Sequence, residues 1–207
     1  MIITIDGPTA SGKTSLADEL SRKIKFKILH SGLIYRAMAK KISENHIDPS
    51  DEKQVVKYAD DINLDDTKDP SLFEDEVGNL ASKISKYAGV RQHANKLQHD
   101  FANANPKVIV EGRDAGTVVF PGANLKIYIT ASPEVRAERR FKELQKNGKE
   151  VIYDNILSDM LVRDARDMER KNSPLIKADD AEFVDTSLLG KQESLELLLS
   201  IVKPKLI

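Results

Sequence analysis

Residues 7–14 read Gly7-Pro8-Thr9-Ala10-Ser11-Gly12-Lys13-Thr14 and match the pattern G-x-x-x-x-G-K-[ST] at every fixed position. The apolar run at residues 2–5 precedes this motif, and Leu16, Leu20 and Ile24 follow it at helical spacing. A buried strand, a glycine-rich turn and a helix in this order form the context that a phosphate-binding loop requires. Glycines let the backbone wrap around phosphates, and the helix amino terminus adds partial positive charge. The motif therefore predicts a nucleoside triphosphate site.

The last residues of this loop carry its chemistry. The Lys13 ammonium is predicted to reach the β- and γ-phosphates, and the Thr14 hydroxyl is placed to bind Mg²⁺. The predicted triphosphate-binding residues are Gly7, Pro8, Thr9, Ala10, Ser11, Gly12, Lys13, Thr14 and Ser15. The guanine motif of GTPases is not matched, because residues 95–98 end in Gln98 instead of aspartate. A D-x-x-G match at residues 75–78 lies in a predicted helix, and we interpret it as accidental.

Short apolar runs indicate strands at residues 2–5, 27–29, 108–110, 125–129 and 183–184. The first and third runs are apolar at nearly every position, which is typical of strands that helices cover on both faces. Helical spacing recurs near the carboxyl end, at Leu195, Leu198, Leu199 and Val202. Strands that alternate with helices predict a doubly wound α/β fold.

Two segments interrupt this alternation, and we interpret both as insertions on one α/β core. Residues 31–104 look helical and contain no clear strand, and residues 134–171 are dense in both signs of charge. Within the first segment, residues 60–76 hold eight acids against one lysine, which is typical of solvated surface. We therefore expect a single domain whose core comprises residues 1–30, 105–133 and 172–207.

The composition excludes several classes of function. The 207 residues include 32 Lys and Arg against 33 Asp and Glu, so bulk positive charge for nucleic-acid binding is absent. The chain has no cysteine, which excludes disulfides, thiolate metal sites and cysteine nucleophiles. No apolar stretch approaches the ~20 residues of a membrane helix. We expect a cytoplasmic, monomeric protein that binds small molecules and neither nucleic acids nor membranes.

The ten arginines are unevenly distributed, in contrast to the 22 lysines. Because a guanidinium can grip phosphate at two points, this clustering predicts a second anion site. Surface salt bridges remain an equally good interpretation for Arg136 and Arg166. All arginines except Arg22 fall in a few segments, as Arg36, Arg91, Arg113, Arg136, Arg139, Arg140, Arg163, Arg166 and Arg170.

The segment from residue 157 to residue 170 combines two helix faces. Arg163, Asp167 and Arg170 share one face, and on spacing alone this face is typical of solvated helix surface. A separate apolar face, which is available for packing, comprises Leu157, Met160, Leu161 and Met168.

Four further runs complete the pattern. They are Ser31-Gly32-Leu33-Ile34-Tyr35-Arg36, Gly112-Arg113-Asp114-Ala115-Gly116-Thr117-Val118-Val119-Phe120-Pro121, Ala131-Ser132-Pro133-Glu134-Val135-Arg136-Ala137-Glu138-Arg139-Arg140, and residues 163–170 with Ser173-Pro174-Leu175 and Asp185-Thr186 after them. Together with the phosphate loop, these runs resemble bacterial cytidylate kinases over nearly the whole chain. The resemblance implies five parallel strands, a monophosphate-binding insertion at residues 31–104 and a mobile lid within residues 134–171. It also implies transfer of a phosphoryl group from ATP, with Mg²⁺, to CMP or dCMP.

The resemblance implies a role for each matching residue. The CMP phosphate is assigned to Arg36, Arg113 and Arg170, the cytosine edge to Ser82, Arg91 and Asp114, and the ribose to Arg163 and Asp167. Ser31, Tyr35 and Gly112 are assigned to the same substrate site. The implied catalytic residues are Lys13, Arg113, Arg139 and Arg140, of which the last two belong to the lid over ATP.

Two residues depart from the family pattern. His30 stands where many members have an acid, and Glu111 stands where many have aspartate; we interpret His30 as a strand-end residue without a catalytic task. The region around residues 63–72 is short beside long members, which add strands there. Two rival hypotheses remain open. One is a related small kinase for UMP, dTMP, AMP or a metabolite such as shikimate, and the other is a nucleotide-binding switch or assembly module that uses ATP only as a ligand.

Overall fold

The computed structural model describes residues 1–206, and a sheet of five parallel strands forms its centre. The strands are β1 (Ile2–Asp6), β2 (Lys27–His30), β3 (Val108–Gly112), β4 (Leu125–Thr130) and β5 (Glu182–Asp185). Their order in the sheet is β2-β3-β1-β4-β5, and every neighbouring pair is parallel. The five predicted strands are confirmed, and each extends the predicted run by one or two residues.

Strand β1 lies between β3 and β4, at the point where the strand order changes direction. Ile3, Thr4 and Ile5 are all fully buried, because helices cover both faces of the sheet. In doubly wound sheets, ligands bind beyond the carboxyl ends of the strands at such a switch point. The loop that follows Asp6 therefore opens into the crevice where a ligand is expected.

Residues 1–206 form eight α-helices and several short turns of other helix types. The α-helices are α1 (Lys13–Ile24), α2 (Ser31–Glu44), α3 (Glu52–Ala59), α4 (Asp75–Ile84), α5 (Ala88–Ala104), α6 (Pro133–Lys146), α7 (Tyr153–Glu169) and α8 (Lys191–Val202). The short turns are 3-10 helices at Leu64–Lys68, Pro70–Phe73 and Lys203–Lys205 and a π-type turn at Ala115–Val119. Within this described part of the chain, no helix is both long enough and apolar enough to cross a membrane.

Successive residues of β3 pack on opposite faces of the sheet. Ile109 contributes to a core with Leu20 of α1 and Leu198 of α8, which confirms the helical spacing read from both segments. Val108 and Val110 contribute to a second core on the other face. The doubly wound α/β fold predicted from the sequence is therefore confirmed.

Helices α2 to α5 bury a further apolar cluster of their own. Ile34, Met38 and Ile42 of α2 are fully buried at a spacing of four residues, and they pack with Val55 of α3 and Ile84 of α4. Residues 31–104 are all described and contain no strand, as the sequence predicted. The assignment of this segment as a substrate-binding insertion, and of residues 134–171 as a lid, stays a prediction.

The acidic stretch at residues 60–76 is mostly solvated, as expected. Seven of its eight acids are exposed, and Asp69 is half-buried beside Lys40. Asp75 differs from the other acids in the position of its partners, because it pairs with Arg140 of α6 and with Lys149. One end of the stretch is thereby joined to the segment predicted to form the lid.

Helix α7 corrects one expectation. Leu161 and Met168, predicted to pack, are 45% and 55% exposed, whereas only Met160 of this group is fully covered. Asp164 and Asp167 are instead 5% and 4% exposed. The helix turns its charged face inward because both carboxylates find arginine partners there, as described below. The helix ends at Glu169, so Arg170 lies just beyond it.

Candidate active site

The phosphate loop requires glycine at two positions. Gly7 has a φ of 156°, and a Cβ added there would lie 2.0 Å from the Ile129 carbonyl oxygen. Gly12, which precedes α1, has a φ of 83°, a left-handed conformation that glycine adopts without strain. No side chain caps the amino end of α1. Its amide groups are therefore free to face an anion in the crevice.

Lys13 is the first residue of α1 and is buried. Its Nζ donates a hydrogen bond to the Pro8 carbonyl oxygen at 3.0 Å and lies 3.7 Å from Glu111 Oε1. Burial, assisted by the nearby Arg113 guanidinium, lowers the pKa of Lys13 to about 7 against the opposing effect of Glu111. An anion in the crevice would stabilise the charged form of this lysine.

Strands β2 and β3 end side by side, and their register places His30 opposite Glu111. His30 Nδ1 lies 3.0 Å from Glu111 Oε2, and His30 Nε2 lies 3.0 Å from Asp18 Oδ1. Burial disfavours the charged imidazole, but the two carboxylates together raise the pKa of His30. The sequence pattern predicted no such link, although both departures from the family pattern fall at neighbouring strand ends. His30 therefore holds the carboxylate that contacts Lys13.

A second charged cluster surrounds Asp114, just after β3. Its carboxylate pairs with Arg91 Nη2 and, at 3.4 Å, with Arg170 Nη2. Arg91 Nε also donates to Ser173 Oγ at 2.8 Å, and Arg170 Nε donates to the Ser173 carbonyl oxygen. The structure thus brings together Arg91, Asp114 and Arg170, while Ser173 is a partner that sequence analysis did not identify.

Two other predicted substrate residues border this cluster. The Tyr35 ring centre lies 5.5 Å from the Arg91 guanidinium carbon, and its buried hydroxyl has no hydrogen-bond partner within residues 1–206. Burial raises the pKa of Tyr35 to about 12. Ser82 donates to Asp167 Oδ1 at 3.2 Å, so it lies beside the residue assigned to the ribose.

Arg113 stands between the phosphate loop and α7. Its Nε lies 3.3 Å from Asp167 Oδ2, and its Nη2 donates to Thr9 Oγ1 at 3.3 Å. Arg163 Nε is buried without a hydrogen-bond partner among the described residues. Burial, together with nearby Arg113, lowers the pKa of Arg163 to about 10. The solvated surface that spacing alone suggested for this face is wrong, since its charges point into the crevice region.

Arg36 of α2 is held by the backbone at residues 72–74, just before α4. Its Nη1 donates to the carbonyl oxygens of Leu72 and, at 3.0 Å, of Glu74. A Cβ added to Gly78 would lie 2.4 Å from Arg36 Nη2, so this glycine makes room for the guanidinium. These contacts differ from those of Arg113 and Arg170, which bond to acids of the crevice.

A close approach also shapes the junction of β3 and α2. A Cβ added to Gly112 would lie 2.6 Å from Ser31 Oγ. Glycine at the end of β3 therefore allows Ser31, at the start of α2, to contact the strand. Both predicted substrate residues lie at the carboxyl edge of the sheet.

The arginines of α6 have different partners. Arg139 donates to Thr186 Oγ1 at 2.9 Å and to the Thr186 carbonyl oxygen at 2.7 Å. Arg140 pairs with Asp75 and, at 2.8 Å, with Glu143. Arg139 is thereby held by the core of the fold, at the end of β5. Arg140 is held instead by Asp75, at the start of α4.

For Arg136 and Arg166, the sequence allows both an anion site and surface salt bridges. Arg136 is 5% exposed and pairs with buried Asp164, so the surface interpretation is wrong for this residue. Arg166 is half-buried, and its Nη1 donates to Ser82 Oγ at 3.4 Å. Sequence periodicity carried no signal for the Arg136–Asp164 pair, whose members are 28 positions apart.

The residues around the loop also bear on a metal. Within residues 1–206, no group of three His, Asp or Glu side chains forms a cage for a metal ion. Mg²⁺ does not need one, because it binds through one or two protein oxygens and completes its shell with water and substrate phosphates. The exposed Thr14 hydroxyl at the start of α1 is an oxygen ligand of that kind.

A phosphate loop at the switch point of a parallel sheet, facing a second set of buried guanidiniums, is the arrangement of a P-loop kinase. The fold agrees with that of a shikimate kinase from Bacteroides thetaiotaomicron, which superimposes with a TM-score of 0.52 at 15% identity over 98% of each chain. The chain belongs to the cytidylate kinase family, whose sequence model matches residues 3–204.

Curated relatives agree with this assignment. The cytidylate kinase of Rickettsia africae (strain ESF-5) is 41% identical over 204 residues, which cover 99% of this chain and 92% of that protein. The cytidylate kinase of Rickettsia bellii (strain OSU 85-389) is 41% identical over 201 residues, or 97% of this chain and 92% of that protein. The resemblance read from the sequence is therefore confirmed at the level of the family.

Proposed function

We propose that the protein transfers the γ-phosphoryl group of ATP to CMP or dCMP, releasing ADP and CDP or dCDP. The observation that carries this proposal is the position of Arg113. One side of its guanidinium bonds to Thr9 of the phosphate loop, and the other bonds to Asp167 beside the Asp114 cluster. A phosphoryl donor and a nucleotide acceptor would thus meet on either side of one arginine.

On the donor side, the amide groups of the loop and Lys13 would hold the phosphates of ATP. Thr14 would ligate Mg²⁺, which supplies charge neutralisation between the β- and γ-phosphates. The transferred group carries most of its charge on peripheral oxygens in a loose transition state. Positioning and charge neutralisation therefore account for catalysis, and no general base is assigned.

On the acceptor side, Arg91 can donate to the carbonyl oxygen and ring nitrogen of cytosine, and Asp114 can accept from its amino group. Uracil carries a carbonyl where cytosine carries that amine, so it would leave Asp114 unpaired. Arg36, Arg113 and Arg170 would hold the monophosphate. The ribose would lie against Arg163 and Asp167, with Ser82, Ser31, Tyr35 and Gly112 lining the site.

The remaining parts of the chain would enclose the reaction. We assign residues 31–104 to acceptor binding and residues 134–171 to a lid whose Arg139 and Arg140 cover ATP. Closure would exclude water, which would otherwise accept the phosphoryl group. Monomeric state and cytoplasmic location stay predictions from the sequence.

A coupled assay with ATP, Mg²⁺ and a panel of acceptors tests this function. The panel contains CMP, dCMP, UMP, dTMP, AMP and shikimate, and we expect CMP and dCMP to give the highest kcat/KM. Preference for another acceptor would support a related small kinase instead. Tight ATP binding without turnover on any acceptor would support a nucleotide-binding switch. No contact described above favours either alternative.

A further inference from the structure

Thr9 of the phosphate loop uses all three of its polar groups in contacts with other elements. Its amide N–H donates to Asp164 Oδ1 of α7 at 3.0 Å. Its carbonyl oxygen accepts from Arg136 Nη1 of α6 at 2.9 Å. Its hydroxyl accepts from Arg113 Nη2 at 3.3 Å. One residue of the loop is therefore tied to both lid helices and to the arginine between the two substrate sites.

The partners of Thr9 are themselves fixed. Arg136 and Asp164 are each 5% exposed and form an ion pair, in which Arg136 Nη1 contacts Asp164 Oδ2. Arg136 Nε is also used, since it donates to the Ala131 carbonyl oxygen at 2.9 Å. Because Arg136 and Asp164 each make two or more such bonds, neither side chain can rotate without breaking at least one of them.

Such a pair is poorly explained by stability alone. Removing two charges from water is costly, and apolar side chains of similar size often stabilise a protein as much as a buried ion pair does. What an apolar pair would not supply is the simultaneous hold on the amide and the carbonyl of Thr9. The directional bonds to the loop backbone are therefore the distinguishing feature of this site.

We infer that Arg136 and Asp164 are positioning residues that hold the phosphate loop through the backbone of Thr9, and that the Thr9 hydroxyl passes this constraint to Arg113. The inference rests on the proposed function, because it concerns the alignment of ATP with its acceptor. A misplacement of about 1 Å in reacting groups can lower a rate roughly 100-fold. We call Thr9, Arg136 and Asp164 the loop clamp.

The loop clamp also lies at the base of the lid. Arg136 stands in the first turn of α6, and Asp164 stands in the second half of α7. Residues 147–152, which connect the two helices, are not held by it. The far end has other contacts, because Lys149 in this connection and Arg140 of α6 pair with Asp75. If the lid moves about the clamp, the phosphate loop would keep its place while the pairs with Asp75 change.

The first test is Asp164→Asn, which keeps an oxygen acceptor for the Thr9 amide but removes the charge that holds Arg136. We expect kcat for CMP phosphorylation to fall roughly 10- to 100-fold. We also expect CMP-independent ATP hydrolysis to rise relative to transfer, because the loop and lid base are no longer aligned. KM for CMP should change much less than kcat. An unchanged kcat and hydrolysis ratio would overturn the inference.

Asp164→Asn leaves Arg136 as an unpaired buried charge, which can prevent folding. The double variant Arg136→Gln with Asp164→Asn avoids this, since both charges are removed and a polar pair remains. Its loss of kcat should match that of Asp164→Asn instead of adding to it, because the two residues act on one target. The matched control is Glu138→Gln, which removes an exposed ion pair with Lys142 on the same helix. A double variant that is folded and as active as this control would contradict the loop clamp.

The hydroxyl is tested separately by Thr9→Val, which keeps the shape and the backbone contacts. We expect a higher KM for CMP and a lower kcat, with ATP affinity retained, because only the bond to Arg113 is lost. Thr9→Ser should recover most of the loss. Equal kinetics for the valine and serine variants would show that the hydroxyl transmits nothing to Arg113.

Wild-type transfer to CMP is measured first. Its absence would overturn the proposed function and leave the contacts of Thr9 without this role. Normal wild-type transfer combined with unaffected clamp variants would overturn the loop clamp alone.

Discussion

The two sides of the crevice are built by different physical means. The donor side is made of contiguous residues, and its anion-binding groups are backbone amides and Lys13 at the start of α1. The acceptor side collects side chains from distant elements, and several of its arginines already have carboxylate partners, as in the contacts of Asp114 with Arg91 and Arg170. A substrate can bind the donor-side groups directly. On the acceptor side, it must replace carboxylates that already pair with the arginines.

This difference separates activity from stability. Backbone amides stay in place when one loop side chain changes, so a donor-side variant should lose activity while remaining folded. A variant at one of the acceptor-side ion pairs removes the counter-charge of another buried group, which is destabilising in itself. Activity and stability should therefore fall together on the acceptor side only.

The largest effect is expected for Lys13→Ala. The ammonium neutralises charge on the transferring group, so its loss should raise the activation barrier by at least ~3 kcal/mol. The effect should appear mainly as a lower kcat, with a smaller change in KM. The melting temperature should stay near that of the wild type, because Glu111 keeps its bond to His30. Steady-state kinetics and circular dichroism check both points. The control is Lys191→Ala, which breaks an exposed pair with Glu19; near-normal turnover of Lys13→Ala would contradict the donor site.

Asp114→Asn should show the opposite combination. Truncating a buried, hydrogen-bonded charge pair costs about 2 kcal/mol or more, and we expect a loss of that size in kcat/KM for CMP. The ratio of CMP to UMP use should fall, since the amide no longer selects the cytosine amine. Melting temperature should fall as well, because Arg91 and Arg170 lose their shared counter-charge. A variant with an unchanged CMP-to-UMP ratio would place base selection elsewhere.

Arg170→Lys is a milder change on the same side. Lysine keeps the charge but lacks the planar fork that reaches both Asp114 and the Ser173 carbonyl oxygen. We expect KM for CMP to rise about tenfold, or ~1.4 kcal/mol, with ATP affinity unchanged. Arg22→Lys, at the exposed arginine outside the clusters, is the matched control. Identical CMP kinetics in both variants would remove Arg170 from the acceptor site.

The smallest effect concerns His30→Gln and depends on pH. The pKa of His30 is raised in the folded protein, since Glu111 and Asp18 outweigh burial. Its contribution to stability is therefore complete below the ordinary imidazole pKa of about 6.5 and disappears as pH rises through the raised value. At acidic pH, protonation of Glu111 ends this contribution to stability. Burial raises the pKa of Glu111, but the charges of His30 and Lys13 outweigh burial and hold this pKa below its ordinary value.

We expect the wild type to exceed His30→Gln by about 1 kcal/mol in unfolding free energy near pH 6, and by less at pH 9. Denaturant titrations at both pH values measure this difference. A difference that grows with pH would contradict the charged link between His30 and Glu111.

Much of this molecule was predictable because the responsible signals are local. Fully apolar runs marked the buried strands, and the phosphate loop was readable from its glycines and Lys13. The prediction for α7 was wrong at Leu161 and Met168, since helical spacing shows which residues share a face but not which face meets the core. The roles assigned to the arginines by resemblance stay predictions, although the structure brings several of them to one crevice.

The course of the backbone follows from local sequence, because conformational needs such as the left-handed Gly12 and the apolar strand β3 involve only neighbouring residues. Which charged side chains meet depends instead on the packing of distant elements. His30 and Glu111 are 81 positions apart, and Thr9 and Asp164 are 155 positions apart. Such pairs form when the sheet register and the inward face of α7 bring distant elements together, and no local pattern of residues encodes that distance.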